Sequence, residues 1–235
     1  MAAMSGHRVL GVDACSDGWI AVALSPAGEV RAYLHREIDE IVAQALADGT
    51  LDVIGIDIPI GLADTGRRQA DVQAHAIAGP RRASVFMTPV RTALAFGTHA
   101  EASAENRRLA GRGISRQAFN LAEKTLQVDR WRGRAPCPVL EVHPELSFAA
   151  LAGGTPLAAS KSTWAGAVRR RELLAQAGIV LPDDLGHAGF RAGMDDVLDA
   201  AAVCWTARRF GCGRARRLPA DPEIFSDEVD CAIWT

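Results

Sequence analysis

Lysine is nearly missing from this chain. Lys124 and Lys161 are the only two, and arginine supplies almost all the basic charge. Neither lysine sits in a G-x-x-x-x-G-K-[ST] pattern, which excludes a P-loop phosphate site. Cysteine is sparse and scattered: Cys15, Cys137, Cys204, Cys212 and Cys231 form no C-x-x-C pair. That distribution argues against a disulfide framework or a cysteine zinc site and for a reducing cytoplasm. No apolar run reaches about 18 residues, so no membrane partner is expected. The opening residues MAAMSGHR lack the apolar core of a signal peptide. Internal repeats and low-complexity tracts are absent as well.

What is present suits one sizeable domain. The chain has 235 residues, of which 49% are hydrophobic, and a net charge of −2. That net charge hides an asymmetry. Residues 67–134 carry 13 Lys and Arg against 5 Asp and Glu, a balance of +8 that leaves −10 for the rest. The basic middle either attracts phosphate or forms a solvated, arginine-rich helical surface.

Residues 8–12, 18–24 and 29–34 read as three strands on short turns, an antiparallel meander. Ile38, Ile41, Val42, Ala45 and Leu46 mark a helix over 38–47. The apolar run 51–56 reads as a strand buried on both faces. A helical crossover should make it parallel to an earlier strand. Residues 67–138 read as a mostly helical insertion into a single domain spanning 1–235. Its helices are expected over 67–78, 101–110 and 115–128, and its loops over 79–91 and 131–138. A strand at 139–142 follows, then a helix opening at Pro144, a helix over 163–177 and a loop over 181–193. A long helix over 194–210 comes last, and the tail beyond 218 reads as irregular with a short strand near Ala232.

Carboxylates fall at telling places in this pattern. Asp13 ends the first strand in GVDACSDGW, and Asp57 ends the fourth in VIGIDIPIGL. Glu141 lies in the fifth strand, in VLEVHPE, and Asp195, Asp196 and Asp199 open the last long helix. Acids are costly in buried strands but belong at strand carboxyl ends, where α/β sheets bind ligands. Asp196 and Asp199, three apart, share a helix face. The helix dipole alone accounts for Asp195 and Asp196, and less well for Asp199, a turn further in. Were these groups to converge, two like charges 4 Å apart would cost on the order of 4 kcal/mol at an effective dielectric of about 20. Protonation or a bound cation must then relieve them. Oxygen-only ligands select Mg²⁺ or Mn²⁺. Two such ions, about 4 Å apart, serve phosphodiester hydrolysis.

The order of elements and acids resembles the RNase H-like fold: a mixed sheet of a three-stranded antiparallel meander plus parallel strands, flanked by helices. The spacing from Asp196 to Ala200 resembles the last helix of RuvC-type junction resolvases. That resemblance implies Asp13, Asp57, Asp196 and Asp199 as metal ligands. A closer match rests on six motifs in order: GVDACSDGW, IGIDIPIGL, RRASVF, EVHPELSF, SKSTWAG and DDVLDA. Together they resemble the domain-of-unknown-function 429 family, described as predicted nucleases of the RNase H fold, over nearly the whole chain. One position departs from the family: Ala14 follows Asp13 where its first turn is usually glycine-rich.

The reading that follows is a metal-dependent nuclease acting on DNA or RNA. Asp13, Asp57 and Asp196 hold Mg²⁺ or Mn²⁺, Asp199 and Glu141 assist, and the arginine-rich insertion holds nucleic acid. Arg81, Arg82 and Ser84 are candidates to grip phosphate, as are Lys124 and, in its small-residue loop, Lys161. His143 either contacts phosphate or bonds a loop carbonyl, and Glu141 either binds metal or forms a structural salt bridge. Trp131, among arginines, is a candidate for stacking on a base, and the other tryptophans read as core. Two rival readings are an actin- or sugar-kinase-like phosphotransferase, for which the chain is short, and a non-catalytic module that binds nucleic acid or a nucleotide.

Overall fold

A computed structural model describes residues 6–235; the first five residues of the MAAMSGHR stretch lie outside the described residues. The protein is α/β, with one mixed sheet of seven strands among the described residues. Strands β1 (Val9–Cys15), β2 (Gly18–Leu24) and β3 (Val30–His35) form the expected meander, and helix α1 (Ile38–Ala47) crosses to β4 (Val53–Ile56). Strand β4 lies parallel to β1, with Val12 opposite Ile56. Strand β5 (Val139–Val142) adds in parallel beside β4. The terminal strands β6 (Arg217–Ile224) and β7 (Asp230–Trp234) complete the order β3-β2-β1-β4-β5-β7-β6.

Helices cover both faces. One face carries α6 (Pro144–Leu151), α7 (Trp164–Gln176), α8 (Gly186–Arg191) and the long α9 (Met194–Gly211). The other carries α1 and α5 (Ala122–Trp131). Alternation along β1 sends Val9 to the first core and Leu10 and Val12 to the second, so the strand is apolar throughout. Helix α9 lies directly on the sheet because glycines face it. A Cβ on Gly11 would stand 2.1 Å from the Ala200 carbonyl oxygen and the Cys204 nitrogen, and one on Gly55 would stand 2.8 Å from Val203 Cγ1.

The insertion also holds α2 (Gln69–Ile77), α3 (His99–Ala110) and α4 (Arg116–Asn120). Helix α2 packs on β6 and β7. Arg91 ties the insertion to the tail by pairing with Asp129 and Asp227, each at 2.6 Å.

Several sequence expectations need correction. Strand β1 continues through Asp13 to Cys15, because only Ser16 and Asp17 turn the hairpin and Gly18, at φ 127°, absorbs the bend. The helix expected over 115–128 is two, parted at Leu121 after Asn120, a weak interior helix former. The stretch 79–91 holds a 3₁₀ turn, Gly79–Ser84, and another follows at Arg91–Ala95. The 181–193 loop contains α8, six residues too few to show a period. The short strand expected near Ala232 is β7, and the rest of the tail is not irregular, because β6 pairs with it as a hairpin. Pro219 and Pro222 disguise β6, but β6 is an edge strand, and its register slips between Leu218 and Glu223. Trp131 is 6% exposed in the α1/α5 core, so it offers no ring to a base. Trp164, read as core, is 80% exposed. The five cysteines are free. Among the described residues no helix is long and apolar enough to cross a membrane.

Candidate active site

The parallel strands β1, β4 and β5 all point their carboxyl ends at one cleft of about 530 Å³. Asp13, Asp57, Glu141 and His143 line it from the sheet, and Asp196 lines it from α9. Lys161 lines it from the loop between α6 and α7, and Ser84, Gln117 and Asn120 from the insertion.

Local rules bring the acids together. The Asp57 amide donates to the Val12 carbonyl at 2.9 Å, which sets Asp57 beside Asp13. Gly11 and Asp13 share a strand face by alternation, as do Gly55 and Asp57. Because both glycines seat α9, both aspartates point toward that helix. Its first turns supply Asp196 and Asp199. The acids at its start fold back over Gly193, where a Cβ would lie 2.9 Å from Asp195 Oδ1 and 3.1 Å from Asp196 Oδ2.

Electrostatics show how crowded this end is. Burial pushes the Asp13 carboxyl well above its ordinary value, and Asp57 and Asp199 push it further. Burial raises Asp57 to about 7, against the pull of Lys161. Burial likewise raises Asp199 to about 7, again with Lys161 opposing. Asp196, less buried, is raised by burial and then by Asp195. Burial would lower Lys161, but Asp199, Asp13 and Asp57 outweigh it and hold the ammonium charged. Lys161 Nζ contacts Asp199 Oδ2 directly and lies 3.9 Å from Asp195 Oδ2. Asp199 Oδ1 is buried and finds no hydrogen-bond partner among the described residues.

The donor set fits a hard divalent cation: it offers oxygen only, and one buried oxygen is unpartnered. Its present spacing does not close around an ion. Among the described residues no three His, Cys, Asp or Glu side chains are grouped to hold one. The cation that meets these acids in the structure is Lys161.

Other candidates fall into different roles. Glu141 is gripped by Arg68, with Nη2–Oε1 at 2.6 Å and Nη1–Oε2 at 2.9 Å, and accepts the Ile60 amide at 2.6 Å. Arg68 is fully buried and also holds Asp71 at 2.6 Å. His143 Nε2 meets the Ser84 carbonyl at 3.3 Å, as a loop-anchoring histidine would. Burial lowers its pKa, so the ring stays neutral and is a poor phosphate contact. Arg81 Nε donates to the Leu157 carbonyl at 3.0 Å, fixing the loop that carries Lys161. Ser84 donates its hydroxyl to the Arg81 carbonyl at 2.8 Å. Lys124 lies over the Trp19 ring, 4.5 Å from its centre, and donates to the Gly18 carbonyl. Arg82 is exposed, two residues from cleft-lining Ser84.

Sequence reasoning missed Arg68, Gln117 and Asn120. Arg68 sits in GRRQ, where nothing separates a buried arginine from an exposed one. Gln117 and Asn120, three apart on one helix, carried a weak positional signal.

Residues 11–224 match the family model described as "Protein of unknown function (DUF429)". No curated protein and no solved structure matches the chain.

Proposed function

We propose that the chain, which belongs to the DUF429 family over residues 11–224, is a divalent-cation-dependent phosphodiester hydrolase acting on nucleic acid, built on an RNase H-like core. One observation carries this reading. Asp13, Asp57 and Asp196 line a single cleft at the carboxyl ends of parallel strands, and Asp199 reaches it through Lys161. The run β3-β2-β1-β4-β5, with Asp13 near the carboxyl end of β1, Asp57 just past β4 and acids opening α9, supports the RNase H-like assignment.

Asp13, Asp57 and Asp199 would hold Mg²⁺ or Mn²⁺, with Asp196 at the open side. Such an ion supplies a stronger water nucleophile and charge stabilisation on the leaving oxygen. The chain's own part is to desolvate the acids, set Asp57 against Asp13, and deny Glu141 to the site by pairing it with Arg68. Gln117 and Asn120 offer neutral polar contacts to a bound strand from the opposite wall. Exposed Arg82 would meet a backbone phosphate. The proposed compartment is the cytoplasm, where free cysteines stay reduced.

The test is cleavage of labelled single- and double-stranded DNA and RNA with Mg²⁺ or Mn²⁺. Wild type should cut at least one of them, and Asp57→Asn should bind it and leave it whole. Binding without cleavage in wild type would refute the hydrolase and leave a non-catalytic module.

A further inference from the structure

Lys161 is built into the cleft rather than draped over it. Two arginines fix the backbone before it. Arg81 donates to the Leu157 and Ala158 carbonyls. Arg170, fully buried, donates to the Ala159 carbonyl at 3.1 Å while Glu145 holds it at 2.7 and 2.9 Å. The turn that carries it, from Ser160 to Thr163, is pinned as well. The Ser160 carbonyl accepts from the Thr163 amide at 3.0 Å and the Thr163 hydroxyl at 2.7 Å. Thr163 in turn caps α7 by accepting from the Gly166 amide at 3.2 Å. Gly166 packs so closely that a Cβ there would stand 1.9 Å from the Ser160 oxygen. A lysine held this way delivers its charge to a fixed place.

That place is among the acids. Lys161 is the only lysine or arginine among the described residues that line the cleft. It takes one oxygen of Asp199 and leaves the other, Oδ1, buried and unpartnered. A carboxylate so divided faces a cation on one side and has a single vacant acceptor on the other. We infer that Lys161 stands where a second cation would otherwise sit, so that the cleft takes one divalent ion rather than two. This rests on the hydrolase reading above and narrows its metal count. The fixed ammonium neutralises part of the acidic charge and repels a dication from its own side. Asp199 Oδ1 remains available to the single ion.

Counting Mn²⁺ bound per chain, by calorimetry and by the resonance signal of free Mn²⁺, tests this without any substrate. Wild type should bind one ion. Lys161→Met should bind two, and Lys161→Arg, which keeps the charge, should bind one. Two ions on wild type, or one on the methionine variant, would overturn the inference while leaving the hydrolase reading intact. No ion on any of the three would overturn both. The wild-type count against two decides the matter even if the methionine variant fails to fold.

Discussion

Two acidic clusters stand side by side at the ends of β1, β4 and β5, and they are built on opposite terms. In the Arg68 cluster every carboxylate oxygen has a donor. Asp71 accepts from Arg68 and from the Thr88 amide and hydroxyl, and Glu141 accepts from Arg68 and the Ile60 amide. In the neighbouring cluster, on the same cleft, Asp13, Asp57, Asp196 and Asp199 share one ammonium, and a buried Asp199 oxygen goes without a partner among the described residues. The first cluster is closed and structural. The second keeps charge and acceptor capacity in reserve, which is what a site for a cation and a phosphate requires. Carboxylates of similar burial can therefore do different work, and the donors around them decide which.

The largest expected effect breaks the closed cluster. Arg68→Met strands Asp71 and Glu141 without their cation and should cost about 3–5 kcal/mol in chemical denaturation. Asp57→Asn, which removes a charge that burial disfavours, should raise the stability of the metal-free protein instead. Next comes the spacing that makes the open cluster. Gly11→Ala drives a Cβ into the α9 backbone and should cost about 1–3 kcal/mol or more, with loss of activity as α9 lifts from the strands.

A smaller effect concerns pH. Burial pushes the Asp57 and Asp199 carboxyls up to about 7 in the folded chain, above the ordinary aspartate value of 3.8. The folded state therefore binds protons more tightly than the unfolded state between those values. Metal-free protein should melt higher as pH falls from 8 toward 5, and Asp57→Asn should flatten that slope. A melting point that falls steadily over the same range would show that the acids are already satisfied. Smallest is the contribution of the insertion. If its arginines hold nucleic acid, affinity should fall as salt rises from 50 to 200 mM, with a log–log slope of roughly −1 to −3. Arg82→Ala should flatten that slope by about one.

Much of this was legible from residue order. The helix expected over 38–47 from its apolar stripe and the short apolar strand expected over 139–142 both appear with those bounds. The pairing of Asp13 with Asp57 follows from one crossover, because parallel neighbours in register place equivalent ends together. The distinction between the two clusters was hidden. Glu141 looks as much a ligand as Asp57 until Arg68 is seen beneath it. An ion pair 73 residues apart leaves no periodic trace. Lys161 was legible as an unusual lysine in a small-residue loop. Its posting among the acids depends on Arg81 and Arg170, which look like surface charge in RRAS and RRRE.

The most direct test is cation-dependent cleavage by folded wild type, Asp57→Asn and Glu141→Gln, side by side on the same nucleic acid. Loss of at least ~10²-fold in Asp57→Asn is expected, the scale of removing a group that acts in the transition state. Glu141→Gln should keep rates within about tenfold, because its carboxylate belongs to Arg68. Equal losses in both variants, undiminished cleavage by Asp57→Asn, or no cleavage by wild type would contradict the account.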